Sequence, residues 1–120
     1  MTRLLLTLHG VVEAPVDRVA EVLFAADDQP GAIVDRATRT VAVQGDWWFR
    51  SETSLHPQGP GSTRVVQRIF DVAEKGRWAV WFVARTPLRA APAAFEARLA
   101  RIAALLGCRA YRVREAARPA

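Results

Sequence analysis

The chain has 120 residues, of which 51% are hydrophobic and 24% are charged; this is the balance of one ordinary globular domain with its own core. Its formal net charge is +5, but the arginines are scattered and no nucleic-acid-binding motif accompanies them, so we expect a basic surface and no nucleic acid partner. No apolar run reaches the roughly 20 residues of a membrane span and no signal peptide is recognisable, so the expected location is the cytoplasm.

The first two predicted elements are a strand and the helix that follows it directly. Residues 4–12 form a β-type run that Glu13 ends. Pro15 suits the first helical position, because the N–H that proline lacks would have no partner there. The apolar residues of 16–24 then recur with helical spacing, which predicts an amphipathic helix. The acidic run 27–31, which ends in Pro-Gly, is predicted to be a loop.

The middle of the chain predicts an antiparallel meander. Residues 33–44 favour an extended conformation, as one strand or with 33–35 as a separate strand. Turn-forming residues separate them from further strands over 47–55, 63–72 and 77–84. Repeated short strands with turn signals between them are typical of such a meander. The run 77–84 is apolar on both faces, so the pattern leaves open which face of this strand is inward.

The C-terminal part predicts a long amphipathic helix over 92–106. Two prolines in 86–92 break the preceding strand pattern, and Gly107 is a natural helix stop. Residues 109–113 predict a short last strand, and 114–120 a flexible tail. The apolar stripe of the helix consists of Phe95, Leu99, Ile102, Ala103 and Leu106, and Glu96, Arg98 and Arg101 are expected to face away from it.

These elements resemble the START-like superfamily, also called SRPBCC, which includes pollen allergens and bacterial polyketide cyclases. The resemblance rests on the passage from strand to helix through Ala14-Pro15, on residues 59–65 (GPGSTRV), which are similar to the GxGT-x-V strand entry of the superfamily, and on the closing helix. It implies an α+β helix-grip fold, a curved antiparallel sheet wrapped around a long C-terminal helix, with residues 1–113 as one domain. The arginine and alanine abundance is typical of a GC-rich bacterial genome.

The chain also departs from that superfamily. The interval 25–33 is too short for a second small helix, and the predicted meander has fewer strands than members usually have. We therefore expect a cavity that is small, open on one side, or completed by a partner chain.

In a helix-grip fold an apolar cavity with a few polar groups lies between the sheet and the long helix. If Glu13, Arg50 and Glu52 face water, strand alternation turns Leu4 and the other residues of opposite parity toward the helix. The predicted ligand-binding residues are Leu6, Leu8, Trp47, Phe49, Ser51, Thr53, Phe95 and Leu99. Ser51 and Thr53 are the candidate polar contacts; alternatively their hydroxyls bond the backbone or water.

The four tryptophans favour either core packing or an aromatic wall for a planar ligand. Alternation places Trp48 outward, where it is a candidate for a homodimer contact. No motif identifies a catalytic residue. His9 and His56 do not have metal-ligand spacing, and Cys108, the only cysteine, is expected to be a buried, inert thiol. We expect no metal and no cofactor.

The resemblance implies a protein that binds a small hydrophobic molecule, lipid-like or polyketide-like, in an apolar cavity. Whether it is also an enzyme stays open, because polyketide cyclases and aromatases act largely by holding a reactive chain in a productive conformation. The alternative is a non-enzymatic α+β oligomerisation module of the ferredoxin-like type, whose sheet pairs with another copy and which has no cavity.

Overall fold

One antiparallel sheet organises the molecule. Within residues 2–26, 32–45 and 47–113, which the computed structural model describes, six strands and three helices form an α+β fold. The predicted loop 27–31 and tail 114–120 lie outside the described residues. In chain order the elements are β1 (Arg3–Val12), α1 (Val16–Ala26), β2 (Ala32–Asp35), β3 (Thr40–Gly45), β4 (Phe49–Pro57), β5 (Thr63–Asp71), α2 (Arg77–Val83), α3 (Arg85–Leu106) and β6 (Ala110–Val113).

The strand order across the sheet is β2-β3-β4-β5-β1-β6. The strands β2 to β5 follow one another as a meander, and β1 lies between β5 and the last strand, β6. The predicted strand-to-helix opening, the strand over 63–72 and the short last strand are confirmed. Pro15 was expected at the first helical position, but α1 begins at Val16. The carbonyl of Pro15 accepts hydrogen bonds from the amides of Arg18 and Val19, so Pro15 is the capping residue that precedes the helix.

The extended run predicted over 33–44 is a hairpin. The carboxylate of Asp35 accepts hydrogen bonds from the amides of Ala37 at 3.0 Å and Thr38 at 3.3 Å. Arg39 then adopts a left-handed conformation with φ of 52°. This local side-chain bonding replaces the strand ladder, so the run divides into β2 and β3.

The prediction of a strand over 77–84 is wrong. These residues form α2, and helical hydrogen bonds continue from α2 into α3. A run that is apolar at nearly every position has no period that distinguishes a strand from a helix. In the structure Val80 and Ala84, one helical turn apart, are buried, whereas the residues between them are exposed. Gly76 precedes α2 with φ of 70°, a conformation that glycine adopts without strain.

The break predicted over 86–92 is also wrong, because α3 begins at Arg85 rather than at Pro92. Helical hydrogen bonds continue through Ala84, whose amide donates to Val80 and whose carbonyl accepts from Leu88. Pro87 lies in the first turn of α3, where a proline removes no intrahelical bond. Pro92 lies inside the helix, and the helix ends at Gly107, with φ of 65°, as predicted. No helix of the described residues is long and apolar enough to cross a bilayer.

The main core lies between α1, α3 and one face of the sheet. Paired residues of antiparallel neighbours point to the same face, so the strand pairing identifies the side that faces the helices. The predicted stripe of α3 is confirmed as the side that faces this core. The buried members of the core are Leu8, Val12, Ala14, Val19, Leu23, Phe24, Val41, Leu55, Val65, Phe95, Leu99 and Ile102.

A smaller core lies under α2. Trp48, Ala73, Val80 and Ala84 are buried together there, and Leu5 and Leu88 pack against them. This cluster joins α2 to the end of the sheet where β4 begins and β5 ends.

The two leucines at opposite sides of α3 test the assignment of its buried face. Leu99 is 2% exposed and Leu105 is 64% exposed. The substitution Leu99→Ala is expected to lower the free energy of unfolding by about 2–5 kcal/mol, because it leaves a cavity in the core. Leu105→Ala is expected to change it by less than about 0.5 kcal/mol. Urea unfolding measures both, and equal losses would contradict the assigned face.

Candidate functional site

The candidate site is a groove between α3 and the helix-facing side of the sheet, called here the α3 groove. It contains two adjoining, half-open cavities of about 330 Å³ and 290 Å³. Phe49, Gln67, Ala94 and Arg98 line both cavities. The larger one is also lined by Val22, Leu23, Val43, Ser51, Arg101, Ile102 and Leu105, and the smaller one by Ile69, Pro87, Ala90, Ala91 and Phe95.

Two polar side-chain pairs lie along the floor of the groove. The Nε2 atom of Gln67 donates a hydrogen bond to the Ser51 hydroxyl at 2.9 Å. The Nη1 atom of Arg98 donates to the Thr53 hydroxyl at 3.2 Å and so connects α3 to β4. Both hydroxyls therefore bond protein side chains. The side chains of Gln67 and Arg98 are the polar groups that line both cavities, and Ser51 and Arg101 also line the larger one.

The structure brings some of the predicted site residues together and leaves others elsewhere. Phe49, Ser51 and Phe95 line the groove, and Thr53 is buried beside it under Arg98. Leu8 and Leu99 lie in the main core, and Leu6 packs against that core. The strand that contains Leu6 and Leu8 is thus under α3, but the cavities lie over β3, β4 and β5.

The sidedness predicted for the adjacent tryptophans is wrong. Trp47 is 50% exposed and lies outside the groove, whereas Trp48 is 3% exposed and belongs to the core under α2. Both precede β4, which begins at Phe49, so strand alternation does not apply to them. A buried Trp48 also removes the homodimer contact predicted for that side chain. Leu4, expected inward, is exposed because the register of β1 shifts between Leu4 and Leu6.

Gln67 and Arg98, which line both cavities, are among the groove residues that the sequence-based prediction missed. Gln67 had a usable signal, since alternation from Val65 and Ile69 turns it toward the helix among apolar neighbours. Arg98 was expected to face away from the sheet, and this is wrong. Its backbone lies beside the apolar stripe, and its long side chain extends across to the floor of the groove, as arginine side chains often do.

The ionisable residues of the opposite sheet face lie away from the groove. His56 is on the same face as Ser54, whose hydroxyl lies 3.0 Å from the His56 Nε2 atom. His56 therefore does not face the α3 groove. On this face Arg50 Nε contacts Glu52 Oε2 at 2.9 Å in an ion pair.

The carboxylate of Asp71, at the end of β5, is fully buried. Asp71 accepts a hydrogen bond from the Ala73 amide at 2.9 Å and another from Arg3 Nη2 at 3.3 Å. Because both oxygens are engaged, Asp71 fixes the chain between β5 and α2, close to the start of β1. No group of three or more His, Cys, Asp or Glu side chains that could hold a metal ion occurs within the described ranges.

No family model, no curated protein and no solved structure matches this chain.

The adjacent tryptophans provide a matched test of this geometry. Trp48→Ala is expected to lower the free energy of unfolding by about 3–5 kcal/mol, because a large buried ring is lost. Trp47→Ala is expected to lower it by less than about 1 kcal/mol, since the ring is half exposed. Chemical denaturation of both variants measures the difference; a larger loss for Trp47→Ala would reverse the assignment.

Proposed function

We propose that this chain is a helix-grip domain of the START-like type that binds one small hydrophobic molecule, lipid-like or polyketide-like, in the α3 groove. The antiparallel sheet and the long C-terminal helix support the fold part of this proposal. A cytoplasmic location belongs to the same proposal.

The observation that carries the proposal is the pair of adjoining cavities beside α3. Small-molecule sites are concave, mostly apolar spaces of about 300–1,000 Å³ with a few polar groups that orient the ligand. The larger cavity, of about 330 Å³, is at the lower end of that range. Because the two cavities share Phe49, Gln67, Ala94 and Arg98, an elongated molecule can occupy both.

The polar groups of the groove define the kind of ligand that fits. The guanidinium of Arg98 and the side-chain amide of Gln67 can donate hydrogen bonds to a ligand oxygen. Phe49, Ile102 and the alanines of α3 supply apolar contact on either side of them. The groove therefore suits a molecule with an apolar body and at least one carbonyl, hydroxyl or carboxylate oxygen.

The same groups favour binding over acid–base catalysis. Arginine stays protonated in proteins and so cannot act as a general acid or base. The described residues that line the two cavities include no histidine, carboxylate or cysteine. If the bound molecule is also a substrate, as in a polyketide cyclase or aromatase, the contribution of these residues is to hold it in a reactive conformation.

The oligomerisation module is the weaker reading of the same fold. A ferredoxin-like unit has the order β-α-β-β-α-β, whereas this chain places four consecutive strands between its first and second helices. Such a module also needs no cavity, so this interpretation leaves the α3 groove without a function.

A neutral fluorescent probe, N-phenyl-1-naphthylamine, tests the groove directly. The native chain is expected to enhance the probe's emission saturably. Ala94→Trp places a large ring where both cavities meet and is expected to weaken probe binding by about tenfold or more. Ala100→Trp adds the same ring to an exposed position of α3 that lines neither cavity, and is expected to leave binding unchanged.

Thermal unfolding of both variants shows whether the added ring disturbs the fold. A native chain that does not bind the probe, or equal binding by the two folded variants, would contradict the proposed function.

A further inference from the structure

The helix α2 exposes an unusually apolar surface. Trp78 is 76% exposed, Trp81 is 61% exposed and Phe82 is 58% exposed. Their spacing of i, i+3 and i+4 places them on one side of α2, whereas Val80 on the other side packs on the core under the helix. We call Trp78, Trp81 and Phe82 the α2 aromatic surface. Large contiguous apolar surfaces of this kind mark interaction sites rather than ordinary solvent-exposed residues.

One cationic side chain contacts this surface, and others flank it in the sequence. The guanidinium carbon of Arg85 lies 4.3 Å from the centre of the Trp81 ring and 5.8 Å from that of Phe82. Lys75 and Arg89, before and after it in the chain, are exposed. Over residues 74–89 the sequence has four cationic residues and a single acidic one. The surface therefore combines exposed aromatic rings with a local excess of positive charge.

We infer that the α2 aromatic surface binds to the headgroup region of an anionic lipid bilayer. Tryptophan is enriched at membrane interfaces, because its ring is apolar and its N–H can remain hydrated. A short helix with aromatic residues on one side and cations beside them lies in the plane of the interface. Each lysine or arginine near an anionic leaflet adds attraction that extends over about one Debye length.

Charge favours an anionic bilayer over a second copy of the chain as the partner of the α2 aromatic surface. Two copies that met through α2 would bring Arg85 and the neighbouring cations of one copy toward the same cations of the other. The chain as a whole has a formal net charge of +5, which opposes self-association and favours an anionic surface. The rings also project into solvent, so a fluid interface can accept them without a shape-matched pocket.

Binding through α2 would bring the bilayer close to the α3 groove. The helix leads through one residue into α3, and Pro87, Ala90 and Ala91 near the start of α3 line the smaller cavity. The inference itself rests on α2 alone and does not require that the groove bind a ligand.

Vesicle flotation of the full chain tests the inference. Vesicles of phosphatidylcholine with about one third phosphatidylglycerol are expected to carry the native chain, and pure phosphatidylcholine vesicles much less of it. Trp78→Ser combined with Trp81→Ser is expected to reduce binding by about tenfold or more. Ile33→Ser combined with Tyr111→Ser removes two exposed apolar side chains from other elements and is expected to leave binding unchanged.

A charge variant and a folding measurement complete the design. Arg85→Gln is expected to weaken binding to the anionic vesicles and to make the remaining binding less sensitive to salt. Thermal unfolding and near-ultraviolet circular dichroism verify that each variant is folded. If the Trp78/Trp81 variant does not fold, Arg85→Gln and the shift of native tryptophan emission on vesicle addition decide the question.

Three results would overturn the inference. The first is no binding of the native chain to anionic vesicles, and the second is equal binding by the folded Trp78/Trp81 variant. The third is a different occupant of the α2 aromatic surface. This would be a second copy, if sedimentation equilibrium shows a native dimer that the Trp78/Trp81 variant makes monomeric. It would be single-stranded nucleic acid, if the native chain binds it in preference to vesicles.

Discussion

The missing side chain at Gly10 allows α3 to lie directly on β1. A Cβ atom at this position would lie 2.6 Å from Cδ1 of Leu99, closer than carbon atoms tolerate, and 3.2 Å from Cε2 of Phe95, a tight contact. Both side chains are buried, so Leu99 would have to shift within the packed core to make room for a larger residue. The close contact at Gly10 therefore sets how near the helix comes to the sheet.

The α3 groove follows from where this contact lies. Gly10 pairs with Val65 of β5 and Arg112 of β6, so the helix is close to the sheet at β1. Over β3 and β4 the helix-facing side chains are Val43, Phe49 and Ser51, which line the larger cavity. The Arg98 to Thr53 hydrogen bond crosses from helix to sheet beside this space. The groove thus has a packed side at Gly10 and a hollow, partly polar side at β4.

Periodic sequence patterns predicted the elements that pack on the main core. The opening strand and helix, the strand that became β5, the apolar stripe of α3 and its stop at Gly107 each have one clear period or one clear terminator. In α1 and α3 the buried residues lie on one side, so burial and sequence pattern agree. The strands β1 and β5 follow their alternation on the helix-facing side, and they also bury Val11 and Val66 on the opposite face.

The errors occurred where such a period is absent or interrupted. The residues of α2 are apolar almost throughout, because some pack on Trp48 and others are exposed on the α2 aromatic surface. The break predicted from Pro87 and Pro92 excluded the first turns of α3 from the predicted helix. The first turn of a helix nevertheless accepts proline, and Pro87 lies there. Arg98 was assigned from the position of its backbone, but its side chain is long enough to reach Thr53 from the edge of the stripe.

Native mass spectrometry of the full chain, purified from its own host, tests most directly whether the hollow side of α3 is a binding site. The account predicts one copy of the chain with one bound hydrophobic small molecule. Ala94→Trp is expected to lose that added mass, whereas Ala100→Trp is expected to retain it. Bare protein in every sample, or an added mass that Ala94→Trp retains, would contradict the account.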